Sequence, residues 1–192
     1  MDRLKILESF QWVGRDLYYL GLITSHAGNI SLRCGEWIWI TRTGSMLGHL
    51  EPDDLVETAL SPEESRHPKA SMELPVHLAI YRATSTQAIL HAHPPSAVAL
   101  SLIEEAIVPA DSEGGHILGT VPVIAAANVV ASQEVADRAS SLLRAHRAVV
   151  VKGHGSFAVA GNLEEALGIT TTLEASAKIL LLAKGAGWKP LK

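Results

Sequence analysis

One short segment, Ala88-Ile89-Leu90-His91-Ala92-His93-Pro94-Pro95, constrains this chain more than any other. Ala88-Ile89-Leu90 reads as a buried strand. The two prolines stop it at once, because neither carries the N–H that a further ladder position needs. In extended backbone side chains alternate with period two, so His91 and His93 point the same way. A third histidine, His154, lies between Gly153 and Gly155 after the strand-like run Ala148-Val149-Val150-Val151. Three imidazoles without a thiolate form the donor set of a divalent ion with an open coordination position, the pattern of catalytic rather than structural zinc. The alternative, unrelated polar residues among nine histidines, stays open on these residues alone.

Composition bounds the remaining choices. A chain of 192 residues with 47% hydrophobic content can build one core, and residues 1–192 are read as a single domain. A net charge of -4 gives no electrostatic reason to expect nucleic acid or an anionic membrane as partner. The one cysteine, Cys34, excludes an internal disulfide and fits a reducing cytoplasm. It lacks a CxxC partner and reads as a small hydrophobe near a turn. Asp2, Arg3 and Lys5, followed by an amphipathic pattern, are unlike a signal peptide. No run reaches the roughly 18 apolar residues of a membrane helix. A soluble, cytoplasmic protein is the expectation.

Helical and strand patterns alternate along the chain without a linker or repeat. Leu4, Leu7, Phe10, Val13, Leu17 and Leu20 mark a helix that Gly21 terminates. Ile30-Ser31-Leu32 and Trp37-Ile38-Trp39-Ile40 flank Cys34-Gly35-Glu36 as a hairpin. The pattern predicts helices from Ser71 to Arg82, with Pro75 in the first turn, and from Gln133 to Arg147. A last helix starts at Asn162 as N-cap, with Glu165 three residues on. Interspersed strands and helices with hairpin-like pairs predict an α/β sandwich whose sheet is mostly antiparallel or mixed.

The loops carry the remaining chemistry. Ser25-His26-Ala27-Gly28-Asn29 and Thr41-Arg42-Thr43-Gly44-Ser45 are small, polar and Gly-bearing, so backbone N–H groups can approach an anion closely. Ser71, at a predicted helix start, offers a third such point. Singly, each is also ordinary turn chemistry. Neither G-x-x-x-x-G-K-[ST] nor G-x-G-x-x-G occurs, so a nucleotide is not indicated. Glu73, in an otherwise apolar stretch, is either a dipole-stabilising residue or, near a metal, a general base.

SHAGNISLR, TRTGS, ASMELPVHLAIYR, HAHPPSAVALS and GHGSFAVAGNLEEAL follow in this order, and together resemble the class II aldolase/adducin family, most closely its L-fuculose-1-phosphate aldolases. The likeness runs from Leu4 to Leu182. It implies a three-layer αβα sandwich around a mostly antiparallel sheet, and a zinc-dependent homotetramer with active sites at subunit interfaces. Matched motif by motif, it implies His91, His93 and His154 as ligands of one Zn2+ per subunit and Glu73 as catalytic acid/base. It also implies Gly28, Asn29, Thr43, Gly44 and Ser71 as the site for a substrate phosphate. The reaction implied is cleavage of a phosphorylated ketose to dihydroxyacetone phosphate and an aldehyde such as lactaldehyde.

Two departures stand out. Many relatives carry two serines before the glutamate, where this chain has Met72 second. The family's aldolases also bring tyrosines from a neighbouring subunit. One is replaced within Asp111-Ser112-Glu113-Gly114-Gly115-His116, which reads as a polar loop, and the chain ends at Lys192 before the tail that carries another. Glu113 and His116 become candidates for the altered contacts. A methylthioribulose-phosphate dehydratase, a pentulose-phosphate epimerase or a decarboxylase would use the same histidines, although epimerase relatives usually carry Asp in place of Glu73. A non-catalytic adducin-like interaction domain is disfavoured by the retained histidines, and a cupin by the missing Gly-rich barrel repeats.

Overall fold

The computed structural model describes residues 2–61 and 67–189. Its strands are β1 (Asn29–Cys34), β2 (Trp37–Thr41), β3 (Leu55–Ala59), β4 (Ala88–Ala92), β5 (Ala106–Ile107), β6 (Val121–Ile124), β7 (Ala148–Val151) and β8 (Gly155–Ala160). They form one sheet in the order β3-β2-β1-β4-β8-β7-β6-β5. Every neighbouring pair is antiparallel except β6 and β7. The helices are α1 (Arg3–Tyr19), α2 (Leu74–Ala83), α3 (Pro95–Ser101), α4 (Ser112–Ile117), α5 (Gln133–Leu142) and α6 (Leu163–Gly185).

Alternation along the strands divides the core into two layers. Ile38, Ile40, Ile89 and Phe157 face α2 and α5, packing on Val76, Ile80, Val135 and Ala139. Leu32, Trp39 and Leu90 face α1 and α6, and Val150 and Ala158 face α3 and the middle of α6. The result is the expected αβα sandwich with a mostly antiparallel sheet. Period two then fixes the functional side chains: His91, two residues after Ile89, points to the α2/α5 side.

Two predicted helix ends move, and one stretch read as a loop is a helix. The helix expected from Ser71 begins at Leu74, because Ser71 N–H is bound to Thr41 O at 3.0 Å and Ala70 bridges Arg42, which keeps the chain extended. Glu73 is therefore the N-cap residue, ahead of Pro75 in the first turn. The helix expected to reach Arg147 stops at Leu142. Arg147 O accepts from Val159 N at 2.9 Å, and His146 Nδ1 donates to Thr120 O at 2.8 Å, so pairing with the sheet outcompetes another helical turn. Asp111–His116, read as a polar loop, instead holds α4, capped by Asp111 Oδ1 on Gly114 N at 2.7 Å. A Cβ at Gly114 would lie 2.1 Å from Ser176 Oγ, so the glycine that weakens this helix also lets it seat on α6.

By length and composition α6 is apolar enough to cross a membrane, contrary to the expectation that no run is, because its few charged residues interrupt an otherwise apolar stretch. In the fold it is a core helix, with Leu163, Ala166, Ile169, Leu173, Ala177 and Leu180 buried. Its start follows the sequence: Asn162 Oδ1 accepts from Glu165 N at 2.8 Å.

Candidate metal centre and acid/base site

β4 carries His91 and is followed at once by His93, and the β7–β8 turn brings the third histidine against them. Gly153 in that turn has φ +68. A Cβ on Gly155 would stand 2.5 Å from Ala92 O and 2.5 Å from His93 Cδ2, so only glycine lets β8 pass this close to the imidazoles. His91 Nδ1 donates to Ser156 O at 3.0 Å, because a carbonyl can only accept. His91 Nε2 is thus a bare lone pair. It lies 3.1 Å from His93 Nε2, and His91, His93 and His154 each offer a ligand atom within 4.8 Å of the others. Two nitrogens on one tetrahedral zinc at about 2.0–2.1 Å would lie about 3.3 Å apart, so the spacing fits such an ion.

Their electrostatics suit a cation as well. Burial holds the His91 pKa well below the usual imidazole value, with His93, His154 and His77 adding to the effect. Burial and then His154 push His93 down to about 4, and burial lowers His154. All three are neutral, as metal ligands must be. His154 Nδ1 is buried without a partner, as an atom awaiting a ligand would be.

Glu73 stands on α2, which covers the same sheet face. Its Oε1 accepts from Ala131 N at 3.0 Å, while Oε2 is buried without a partner. Burial raises its pKa, and the Ala131 N–H opposes the rise. One helical turn on, fully buried His77 makes a 2.7 Å hydrogen bond through Nδ1 to Ser31 Oγ, which lies 2.8 Å from Tyr81 OH. His77 also meets Phe157 edge-on, and Phe157 stacks on His91 with centroids 4.4 Å apart. Desolvation keeps His77 neutral, its pKa down at about 3. α2 is therefore keyed to the sheet by a polar chain directly below Glu73.

The proposed phosphate residues come from three stitched segments. Asn29 pairs with His91 in register, and its Oδ1 is buried without a partner. Gly28 has φ +79, and a Cβ there would meet His91 O at 2.8 Å. Thr43 Oγ1 donates to Ala70 O at 2.8 Å, and Ser71 Oγ accepts from Glu73 N at 3.2 Å, leaving its own proton free. Gly44 has φ +76 with open space around it. Arg42 is held by Asp54 at 2.7 Å and, with Thr43 and Lys69, lines a cleft of about 350 Å³. Met72 is 64% exposed, so the missing second serine costs a hydroxyl but disturbs no packing. Glu113 and His116 are exposed on α4. Among the described residues neither hydrogen-bonds to the histidine cluster.

Residues 8–181 match the family described as Class II Aldolase and Adducin N-terminal domain. The chain belongs to that family. It is 31% identical over 186 residues to an L-fuculose phosphate aldolase of Methanocaldococcus jannaschii, covering 95% of this chain and 97% of that one. It is 30% identical to a 3-oxo-tetronate 4-phosphate decarboxylase of Pectobacterium atrosepticum, covering 88% of this chain and 81% of that one. Among solved structures, an L-fuculose-1-phosphate aldolase from Thermus thermophilus is similar, with TM-score 0.92, 41% identity, and coverage of 98% of this chain and 100% of that one. Class II aldolases are metal-dependent lyases, and the three-histidine cluster is where this member can hold its metal.

Several contributors escape sequence reasoning. His77 and Tyr81 repeat at i+4 and i+8 from Glu73, a stripe that period 3.6 could have flagged. Glu174 on α6 binds the N–H groups of Ser96, at 2.9 Å, and Ala97, at 3.2 Å, so it caps α3 immediately after the histidine pair. Ala131 carries no local signal at all.

Proposed function

We propose that this protein is a zinc-dependent aldolase that cleaves a phosphorylated ketose of the L-fuculose 1-phosphate type to dihydroxyacetone phosphate and an aldehyde such as lactaldehyde. The observation that carries this reading is the convergence of three neutral imidazoles on the sheet face that Glu73 covers with a free, buried Oε2. A divalent ion held by His91, His93 and His154 would supply Lewis acidity toward the substrate carbonyl. Gly28, Asn29, Thr43, Gly44 and Ser71 would hold the phosphate away from the bond being broken, so binding energy fixes register without opposing the chemistry. Glu73 would protonate the carbon freed when C3–C4 breaks and remove that proton in condensation. A carboxyl raised by burial and restrained by one N–H suits both directions.

The reading treats residues 1–192 as one domain of a cytoplasmic homotetramer with sites at subunit interfaces. Exposed Leu102, Ile103, Val108, Leu182 and Trp188 support it as surface that association would cover. The likeness to a decarboxylase keeps a second reaction on the same site in view. The test is a panel assay of zinc-loaded protein with ketose 1-phosphates, with dihydroxyacetone phosphate plus aldehydes, and with 3-oxo acid phosphates. Release and condensation of dihydroxyacetone phosphate is expected. Carbon dioxide release from the oxo acids alone, or dehydration of a ketose phosphate alone, would replace the aldolase reading.

A further inference from the structure

We propose that the main-chain N–H of Ala131 is a positioning group for the reaction: it anchors Glu73 Oε1, so that Oε2 is the oxygen that exchanges the proton. The inference rests on the aldolase reading of Glu73. Ala131 has φ 50 and is the one non-glycine residue with positive φ among the described residues. The left-handed region crowds Cβ against the backbone, so alanine persists there only where its surroundings over-determine it, as at functional sites. Here the surroundings are explicit. Glu134 Oε2 accepts from Ala127 N at 3.1 Å, Asn128 Oδ1 from Val130 N at 3.3 Å, and Ser132 Oγ from Val135 N at 3.1 Å. Arg138 Nη1 donates to Ala125 O, also on the N-terminal side of Ala131, while the Ser132 cap holds the C-terminal side. The first turns of α5 thus clamp the loop on both sides of Ala131.

What the clamped turn presents is one N–H, 3.0 Å from a carboxyl oxygen 58 residues away in sequence. Bonds from N–H groups to carboxylates are shorter and stronger than neutral ones, so this one selects among Glu73 rotamers. It also makes the two oxygens unlike: Oε1 is engaged, and Oε2 is buried without any partner. The clamped turn therefore fixes which Glu73 oxygen is engaged and which is free.

The test uses zinc-loaded protein and three substitutions. Ala131→Pro removes the N–H and forces φ near −65°. Ala131→Val keeps the N–H but disfavours positive φ. Ala131→Gly keeps both. The proline variant is expected to lose turnover by about 10²-fold, with KM and zinc content unchanged, and the valine variant to lose less in the same pattern. The glycine variant should stay near the parent. Combined with Glu73→Gln, the proline substitution should cost nothing further, because that variant has no proton transfer left for the N–H to position. Independently of turnover, the Ala131 amide proton of ¹⁵N-labelled zinc-loaded protein should resonate downfield and move upfield in Glu73→Gln. An amide that does not respond overturns the proposal. So does a proline variant that sheds zinc, raises KM as much as it lowers kcat, or adds its loss to that of Glu73→Gln. A responsive amide in a protein that turns over no sugar phosphate removes the aldolase reading and its proton-transfer role, while the contact itself stands.

Discussion

His91 Nδ1 lies 3.0 Å from the carbonyl oxygen of Ser156, and this contact decides which nitrogen of His91 is free. Since the ring donates there, Nε2 faces His93 and His154 as a lone pair before any ion arrives. About one zinc per chain is therefore expected in purified protein. His93→Ala should abolish both metal and turnover while leaving the fold intact, because His93 is only part-buried and belongs to none of the apolar clusters. Metal analysis beside circular dichroism checks this. Full zinc content in that variant would remove His93 from the site.

The same burial sets the acid limit. A free imidazole yields metal to protons near pH 6.5, but here burial, then His154, holds His93 down at about 4, and His91 is lowered well below its ordinary value. Zinc should be retained well below pH 6.5 and released as pH falls toward 4. In metal-free protein the sign follows from linkage. Below about 6.5 the unfolded chain takes up protons that the folded histidines refuse. Stability is then fully present above that pH and is lost as pH falls toward about 4 for His93 and about 3 for His77. Melting temperatures measured from pH 8 to 4 should decline only in the acid half. A flat profile would contradict buried neutral imidazoles.

Glu73→Gln keeps the size of the side chain and an oxygen for Ala131 N–H, but ends proton transfer. Turnover should fall by roughly 10²–10⁴-fold with zinc still bound. Solvent exchange of the hydroxymethylene proton of dihydroxyacetone phosphate reads the step directly. Near-parent exchange in this variant would remove Glu73 from the acid/base role.

Much of this was legible in the sequence because it depends on local periodicity. The histidine pair follows from period two along β4, and the Asn162 cap is a three-residue signal. What was not legible depends on contacts distant in the chain. Helix propensity alone cannot tell that Arg147 is claimed by Val159, or that Ser71 is pinned to Thr41. The Gly-Gly pair in α4 argues against a helix until Ser176 is seen to need the room. Ala131 is invisible for the same reason: its φ is set by α5, and its partner lies on α2.

Gly155→Ala tests how close the two strands must be. The added Cβ would sit 2.5 Å from the Ala92 carbonyl, a backbone atom that cannot swing aside. β8 should move off β4 and carry the Ser156 carbonyl away from His91. The expected result is a folded protein with zinc affinity lowered about 10- to 100-fold, as for loss of a partner that orients a ligand. Unchanged affinity would mean that the turn absorbs the shift without reaching the histidines.

The phosphate assignment makes the last prediction, and the structure sharpens it. Asn29 is buried, with its Oδ1 unpartnered. Ser71 keeps a free hydroxyl proton because its oxygen accepts from Glu73 N, whereas the Thr43 proton is spent on Ala70 O. In this assignment Ser71 would donate its hydroxyl, Asn29 would donate through Nδ2 rather than through the unpartnered Oδ1, and Thr43 chiefly holds its loop to residue 70. A hydrogen bond to a charged acceptor contributes on the order of 1.5–3 kcal/mol. Asn29→Ala and Ser71→Ala should therefore each raise KM for phosphorylated substrates about tenfold or more. Thr43→Val should do so by displacing Gly44. None of the three should alter weak activity on unphosphorylated ketoses. Asn29 lies opposite His91 in the sheet, so equal losses on both substrate types have a ready physical cause. In that case these loops support the histidine cluster, and the phosphate binds elsewhere.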